Sequence, residues 1–206
     1  NSNAYSLRAL AIEHACEPVD LGVAKDDEKE LLEKIQSGLH YDILVTSGGV
    51  SAGKYDYVLA AMKKAGVDLK FWKVNIKPGM PLAFGIFVRN GFNVPVFCLP
   101  GNPVSTVVTF LEFVRPCLET MMSISGKDTR LHLRATLEHS LKKTDGKRHY
   151  HRGILENRNG RLVVRSTGNQ SSGVLSSMVK ANCLIILRED QSSFDAGNEV
   201  DVEFPL

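Results

Sequence analysis

Apolar positions recur along this chain at two different periods, and the change from one to the other divides it. Tyr5, Ala9, Ile12 and Cys16 fall at helical spacing and predict a helix over 5–16, with His14 beside Leu7 and Leu10 as an edge-of-core histidine. Residues 19–23 read as a short strand. Asp27 with Glu30 three residues on has the pattern of a capping box, opening a helix that turns Leu31, Leu32 and Ile35 inward and ends at Gly38. Residues 42–45 are an apolar run that reads as a buried strand. A loop with three glycines follows, and then Val58, Met62 and Ala65 at helical spacing, closed by Gly66.

Residues 70–77 alternate, with Trp72, Val74 and Ile76 on one side and Phe71, Lys73, Asn75 and Lys77 on the other. One strand is expected there, with Lys73 and Lys77 on a single face about 13 Å apart. Strands over 82–88 and 95–99 are joined through Asn90-Gly91, a hairpin signal. Asn102 is placed to cap a helix and Pro103 to occupy its first position. Val104, Val107, Leu111, Val114 and Leu118 form that helix's inward face, and Pro116 is expected to kink or end it near Arg115. Strand and helix alternate up to here, which argues for a parallel sheet with helices on both faces.

After Ser123-Ile124-Ser125-Gly126-Lys127 the period changes to two. Short strands are expected over 131–137, 150–156, 161–166, 183–187 and 200–204, with turn signals at Asp145-Gly146, Asn159-Gly160 and Ala196-Gly197. The sequence thus predicts an α/β domain with a mostly parallel sheet over 1–126 and a small all-β, barrel-like domain over 127–206. Within the second, His149 and His151 share a face of a strand in the most basic stretch of the chain. With no third ligand nearby, an exposed basic strand is expected rather than a metal site.

Composition narrows the partners. The 206 residues are 43% hydrophobic and 23% charged, an ordinary globular balance. A net charge of +2 gives no support for a nucleic-acid-binding face. No apolar run is long enough for a membrane span, and no signal peptide is read. Cys16, Cys98, Cys117 and Cys183 are scattered among apolar neighbours, which suits reduced thiols in a cytoplasmic protein. The opening at Asn1 reads as the inside of a loop, so the chain is expected to be a fragment of a longer protein.

Candidate chemistry concentrates at Ser47-Gly48-Gly49-Val50-Ser51-Ala52-Gly53-Lys54-Tyr55-Asp56. A strand, a glycine loop and a helix start turn backbone N–H groups toward an anion, with the hydroxyls of Ser47 and Ser51 at hand. Asp56 either favours the helix start or meets a phosphate through a divalent cation. Leu99-Pro100-Gly101-Asn102-Pro103-Val104-Ser105 is a second glycine-bearing turn at the end of a strand. Two such turns at the carboxyl ends of one sheet raise a ligand crevice above a pair of tight turns.

These motifs, with Lys77-Pro78-Gly79 and Pro81-Leu82-Ala83-Phe84-Gly85, and with Arg152-Gly153 and Gln170-Ser171-Ser172 in the β tail, closely resemble the molybdopterin molybdenumtransferase family, which includes the C-terminal part of gephyrin. The resemblance covers essentially the whole chain. It implies a three-layer molybdopterin-binding domain followed by a barrel, with adenylylated molybdopterin and molybdate as substrates, Mg²⁺ as cofactor, and AMP and the molybdenum cofactor as products. It implies Asp56, Lys73 and Lys77 as catalytic residues, Asp56 being the metal-linked acid. Ser47, Gly48, Gly49, Ser51 and Gly53 would line one wall of the substrate site and Pro100, Gly101, Asn102, Pro103 and Ser105 the other, with Arg152 and Ser172 from the barrel. A homodimer of the full-length protein and contacts with other proteins of the pathway are implied; nucleic acid and membrane are not. Rival readings are a molybdopterin adenylyltransferase, which lacks the β tail, and a non-catalytic gephyrin-like scaffold or pterin-binding module. Asn1 stands where the family usually has Asp, Lys54 replaces a commonly acidic residue and Met80 a common lysine. Set beside the resemblance, the family's first strand of this domain, with its Gly-Asp-Glu motif, and its two N-terminal domains are expected to lie outside these 206 residues.

Overall fold

The computed structural model describes residues 2–24, 27–50, 57–124 and 130–204. Ser51, Gly53, Lys54 and Asp56 therefore lie outside the described residues, as does Asn1. The chain forms two compact units, Asn1–Val74 with Gly79–Leu118, and Asn75–Pro78 with Glu119–Leu206.

The first unit begins with α1 (Ser2–Glu13), α2 (Glu28–Gly38), β1 (Leu44–Ser47), α3 (Tyr57–Lys64) and β2 (Asp68–Trp72). After the two-residue β3 (Ile76–Lys77), which belongs to the second unit, come β4 (Ala83–Arg89) and β5 (Phe92–Leu99), then α4 (Pro103–Thr109) and α5 (Arg115–Met121), which runs past Leu118 into the second unit. Its sheet runs β1-β5-β4-β2. Only β1 and β5 pair in parallel, from Leu44↔Val96 to Ser47↔Leu99, whereas β5–β4 and β4–β2 are antiparallel. The sheet is mixed, not mostly parallel. A two-residue turn such as Asn90-Gly91 can join only antiparallel neighbours, so β4 reverses against β5. Ile35, Leu44, Met62, Val94, Val96 and Cys98 form the centre of the core.

Sequence pattern and structure agree where a local signal fixes the backbone. The carboxylate of Asp27 accepts from Glu30 N at 2.8 Å and opens α2. They part where a pattern needs a partner. Residues 19–23 are not a strand: Asp20 Oδ1 accepts from Gly22 N at 2.8 Å, a side-chain turn that competes with ladder formation. In α1, Tyr5 and Ile12 face solvent, and the buried positions are Asn3 and Leu10 on the side that packs on α4. His14 does sit at an edge of the core, stacked on Phe110 with ring centroids 6.0 Å apart. Pro116 does not end its helix. Residues Phe110–Val114 form a π turn, in which Arg115 N donates to Phe110 O, and the helix continues to Met121. The wider turn takes up a proline that has no N–H to give.

The expected strand over 70–77 is broken. β2 ends at Trp72, Lys73 has φ +73°, and Lys73 N and Val74 N donate to Leu82 O and Met80 O. Ile76 and Lys77 then pair in parallel with Arg148 and His149. Lys73 and Lys77 therefore do not share a strand face.

The second unit continues with β6 (His132–Leu137), β7 (Leu141–Lys142), β8 (Arg148–Arg158), β9 (Arg161–Ser166), α6 (Ser176–Lys180), β10 (Cys183–Leu187), β11 (Ser193–Phe194) and β12 (Glu199–Glu203). The order β10-β12-β6-β9-β8 closes on itself through a β10–β8 pairing, with β3 added along β8. This is a small barrel filled by Leu137, Val164, Ile185, Leu187, Phe194 and Val202. Gly153 lies where β8 is paired on both edges, opposite Cys183 and Ser166. A Cβ there would meet Ile185 Cγ1 at 2.7 Å and Cys183 Sγ at 2.9 Å, so only glycine fits. The basic strand is not exposed: β10 and β3 flank the first half of β8, and His149, Tyr150 and Arg152 are buried.

Candidate functional site

In the first unit the two glycine-bearing turns lie side by side because β1 and β5 are parallel neighbours. Gly48 N donates to Leu99 O at 2.9 Å, extending the ladder one step past the end of β1. That N–H is spent on the sheet and cannot cradle an anion. Gly49 has φ +72°, and a Cβ there would come within 2.4 Å of Val58 Cγ2, so the loop also needs glycine for α3 to seat. On the other turn a Cβ at Gly101 would come within 3.4 Å of Gly48 Cα, so a side chain there would just reach the first turn.

The second turn is held from below. Thr106 Oγ1, fully buried, donates to Pro100 O at 2.6 Å. Ser47 Oγ lies 3.4 Å from both Pro100 O and Thr106 Oγ1. Asn102 stands at the α4 N-cap with Pro103 behind it, and its carbonyl accepts from Thr106 N. Ser47, Gly49, Gly101 and Asn102 are exposed, whereas Pro100 and Ser105 are buried. Ser105 is 4% exposed in the helix packing, so its side chain does not form a wall of the crevice. Sequence reasoning assigns no role to Thr106 or Asn3. The Asn3 side chain donates to Ser47 Oγ and to Gly101 O, each at 2.8 Å, and so ties the two turns together. Lys73 is linked to the same place: its Nζ lies 4.1 Å from the centroid of Trp72, whose Nε1 donates to Val50 O at 3.4 Å.

The second unit brings together a different set. Lys77 Nζ is 3.5 Å and Lys147 Nζ 3.7 Å from the Asp145 carboxylate, and His149 Nε2 is 2.5 Å from it. His149 Nδ1 lies 3.4 Å from His151 Nε2. Burial pushes the Asp145 carboxyl up, but the hydrogen bond and charge of His149, with Lys77 and Lys147, outweigh it and leave the pKa at about 2. Burial lowers His149 despite Asp145, and burial with the charges of His149, Arg152 and Lys77 takes His151 to about 4. Among the described residues no group of three His, Cys, Asp or Glu could hold a metal ion.

Arg152 is 1% exposed, and burial lowers its pKa to about 10. Its guanidinium donates to Ser177 Oγ, Tyr150 O and Ser171 O, and its backbone N–H and C=O are gripped by the Gln170 amide at 2.8 and 3.1 Å. The guanidinium is thus committed to bracing the turn that carries Ser172, not turned outward to an anion.

A pH dependence follows from His151. Its folded pKa lies below the unfolded value near 6.5, so between those values the unfolded state binds the proton first and stability falls as pH falls. Asp145 adds its own loss only below about pH 4. Urea denaturation at pH 7 and at pH 4.5 should show a loss of at most about 3 kcal/mol from His151, and His151→Gln should flatten the slope between them. An unchanged slope would contradict the assignment.

Residues 1–120 match the probable molybdopterin binding domain, and residues 134–204 match the MoeA C-terminal region (domain IV). The molybdopterin molybdenumtransferase of Haemophilus influenzae is 36% identical over 98% of this chain and 50% of its own length. Gephyrin of Dictyostelium discoideum is 35% identical over 77% of this chain and 25% of its own length. The chain spans about half the length of the molybdenumtransferases it matches. Among solved structures, a molybdopterin biosynthesis MoeA protein from Pyrococcus horikoshii superposes with a TM-score of 0.80 at 27% identity, over 99% of this chain and 48% of that one. A molybdenum cofactor biosynthesis protein from Pyrococcus furiosus gives 0.76 at 25%, over 99% and 64%. With a molybdopterin-binding domain matched over more than half of its length and the MoeA C-terminal region following it, the chain belongs to the molybdopterin molybdenumtransferase family.

Proposed function

We propose that the protein inserts molybdenum into adenylylated molybdopterin, releasing AMP and the molybdenum cofactor, as part of molybdenum cofactor biosynthesis. The observation that carries this reading is the pair of turns, Ser47-Gly48-Gly49 and Gly101-Asn102, which expose Ser47, Gly49, Gly101 and Asn102 and are tied side by side through Asn3 at the carboxyl ends of adjacent parallel strands. Crevices of this kind take ligands, and glycine in the turns lets a phosphate approach the backbone. The matched C-terminal region favours this reaction over that of an adenylyltransferase, which lacks the β tail.

Lys73 lies beside the glycine turn and would hold the pterin phosphate, while Lys77, in the cluster with Lys147 and His149, would steer molybdate. Both substrates are anions, and fixed cations that meet charge as it develops on the cleaved phosphoanhydride lower the barrier. Magnesium enters the proposal through Asp56, outside the described residues. The described residues supply no donor set for it, so no step is assigned to the metal. The test is mass spectrometry of the products after the full-length protein meets adenylylated molybdopterin with and without molybdate. Molybdate-dependent release of AMP with a molybdenum-bearing pterin is expected; an adenylylated pterin left intact would overturn the reading.

A further inference from the structure

Asn3 is a buried amide in the first turn of α1, 8% exposed, on a helix whose other buried residue is Leu10. Asparagine is a poor helix former, and a buried polar side chain needs partners. Asn3 has them: its Nδ2 carries two hydrogens, and both are used, one on Ser47 Oγ and one on Gly101 O. The partners decide what the contact means. An amide that only satisfied itself in a core would bond to buried groups, whereas Ser47 and Gly101 are exposed tips of the two ligand turns. Ser47 ends β1 and Gly101 follows β5, so one side chain sets the gap between strands where their ladder has run out.

We propose that Asn3 is a positioning residue for the pterin site, fixing the separation of the Gly48-Gly49 and Gly101-Asn102 turns without itself touching the substrate. This rests on the reading that those turns take the pterin phosphate. Alternatives at the position fail for a stated reason. Aspartate has the same shape but no N–H, and it turns a carboxylate oxygen toward Gly101 O. Serine has one hydrogen for two acceptors. Alanine leaves, among the described residues, the Gly48–Leu99 hydrogen bond and the weak contacts of Ser47 with Pro100 O and Thr106 to join the two turns. Because the ligand bridges both turns, loosening their separation weakens its binding even where the chain stays folded.

The experiment uses the full-length protein and adenylylated molybdopterin as the probe. Calorimetric Kd is measured at 25 °C for the wild type, Asn3→Ala, Asn3→Asp and Ser47→Ala, each with its unliganded melting temperature. The expected order of weakening is Ser47→Ala, then Asn3→Ala at about tenfold, then Asn3→Asp, with KM rising in parallel and kcat within about threefold for Asn3→Ala. A purely structural role would lower the melting temperature of Asn3→Ala and leave its Kd unchanged, and a Kd within twofold of wild type would overturn the proposal. If Asn3→Ala does not fold, Asn3→Asp and the exposed Ser47→Ala carry the same comparison, and wild-type affinity in both overturns it. A wild type that does not bind the probe would bring down the pterin-site reading and this inference with it; a wild type that binds beside unaffected Asn3 variants would bring down this inference alone.

Discussion

Gly49→Ala should cost roughly 2–4 kcal/mol of stability and at least tenfold in affinity for the pterin, because one atom upsets a turn and a helix together. The new Cβ would sit 2.4 Å from Val58 Cγ2, and Val58 is a buried residue in the first turn of α3. The backbone must also hold φ near +72° with a side chain attached. Relief comes by forcing the buried Val58 side chain off its rotamer, by shifting α3 or by flipping the turn, and the last two move the crevice. The steric part is separable from the conformational part. Truncating Val58 to alanine has its own cost in the core, but it opens the space that the added methyl needs. Urea denaturation of the two single variants and the double should therefore show a coupling of at least about 1 kcal/mol, the double being more stable than the sum predicts. Additivity within about 0.5 kcal/mol would show that contact with Val58 is not why glycine is required.

That result would refine what the sequence conveys at this site. The Gly-Gly pair between an apolar run and a helical pattern is legible as a turn between β1 and α3, and both elements lie there. Its expected use, turning N–H groups to an anion, is only partly compatible with the structure, because Gly48 N is bonded to Leu99 O. A spacing rule cannot see that donor, since the acceptor is 51 residues away and is reached only when β1 and β5 align. Asn3 is illegible for the same reason: its partners are at separations of 44 and 98 residues. Asn102 and Pro103 at the start of α4 are readable because a cap and its helix are neighbours in sequence.

The barrel strands are legible throughout, because alternation with turn punctuation needs only local information. β6, β8, β9, β10 and β12 overlap the five expected segments. What alternation cannot reveal is which strands are covered. The basic character of β8 predicts an exposed strand, yet it borders three strands, and His149 and Arg152 are buried. The two-residue β7 and β11 are too short to carry a pattern, and they exist as a pair of each other. A regular alternation puts Lys73 and Lys77 on one face; the left-handed turn at Lys73 and the pairing of Lys77 with His149 put them in different units.

Separating those lysines has a kinetic consequence. Lys73→Met and Lys77→Met in the full-length protein should each lower kcat/KM by about 10²-fold, and the double variant should lose about 10⁴-fold. Additivity is expected because, among the described residues, the two cations share no partner. Lys73 rests on the Trp72 ring beside Val50, and Lys77 faces Asp145 in the cluster with Lys147 and His149. On one strand face they would grip one anion, and removing either would cost nearly as much as removing both. The two variants should also separate by substrate. Lys73→Met should raise KM for the adenylylated pterin and leave that for molybdate within about threefold, because its loss is felt at the glycine turn. Lys77→Met should do the reverse. Methionine keeps most of the stem of either lysine and removes only the charge, so packing on Trp72 is largely retained and the comparison reports electrostatics. Initial rates of AMP release over a grid of both substrates provide every value required. A double variant no worse than the poorer single one would return the two lysines to a single anion and refute the division of labour.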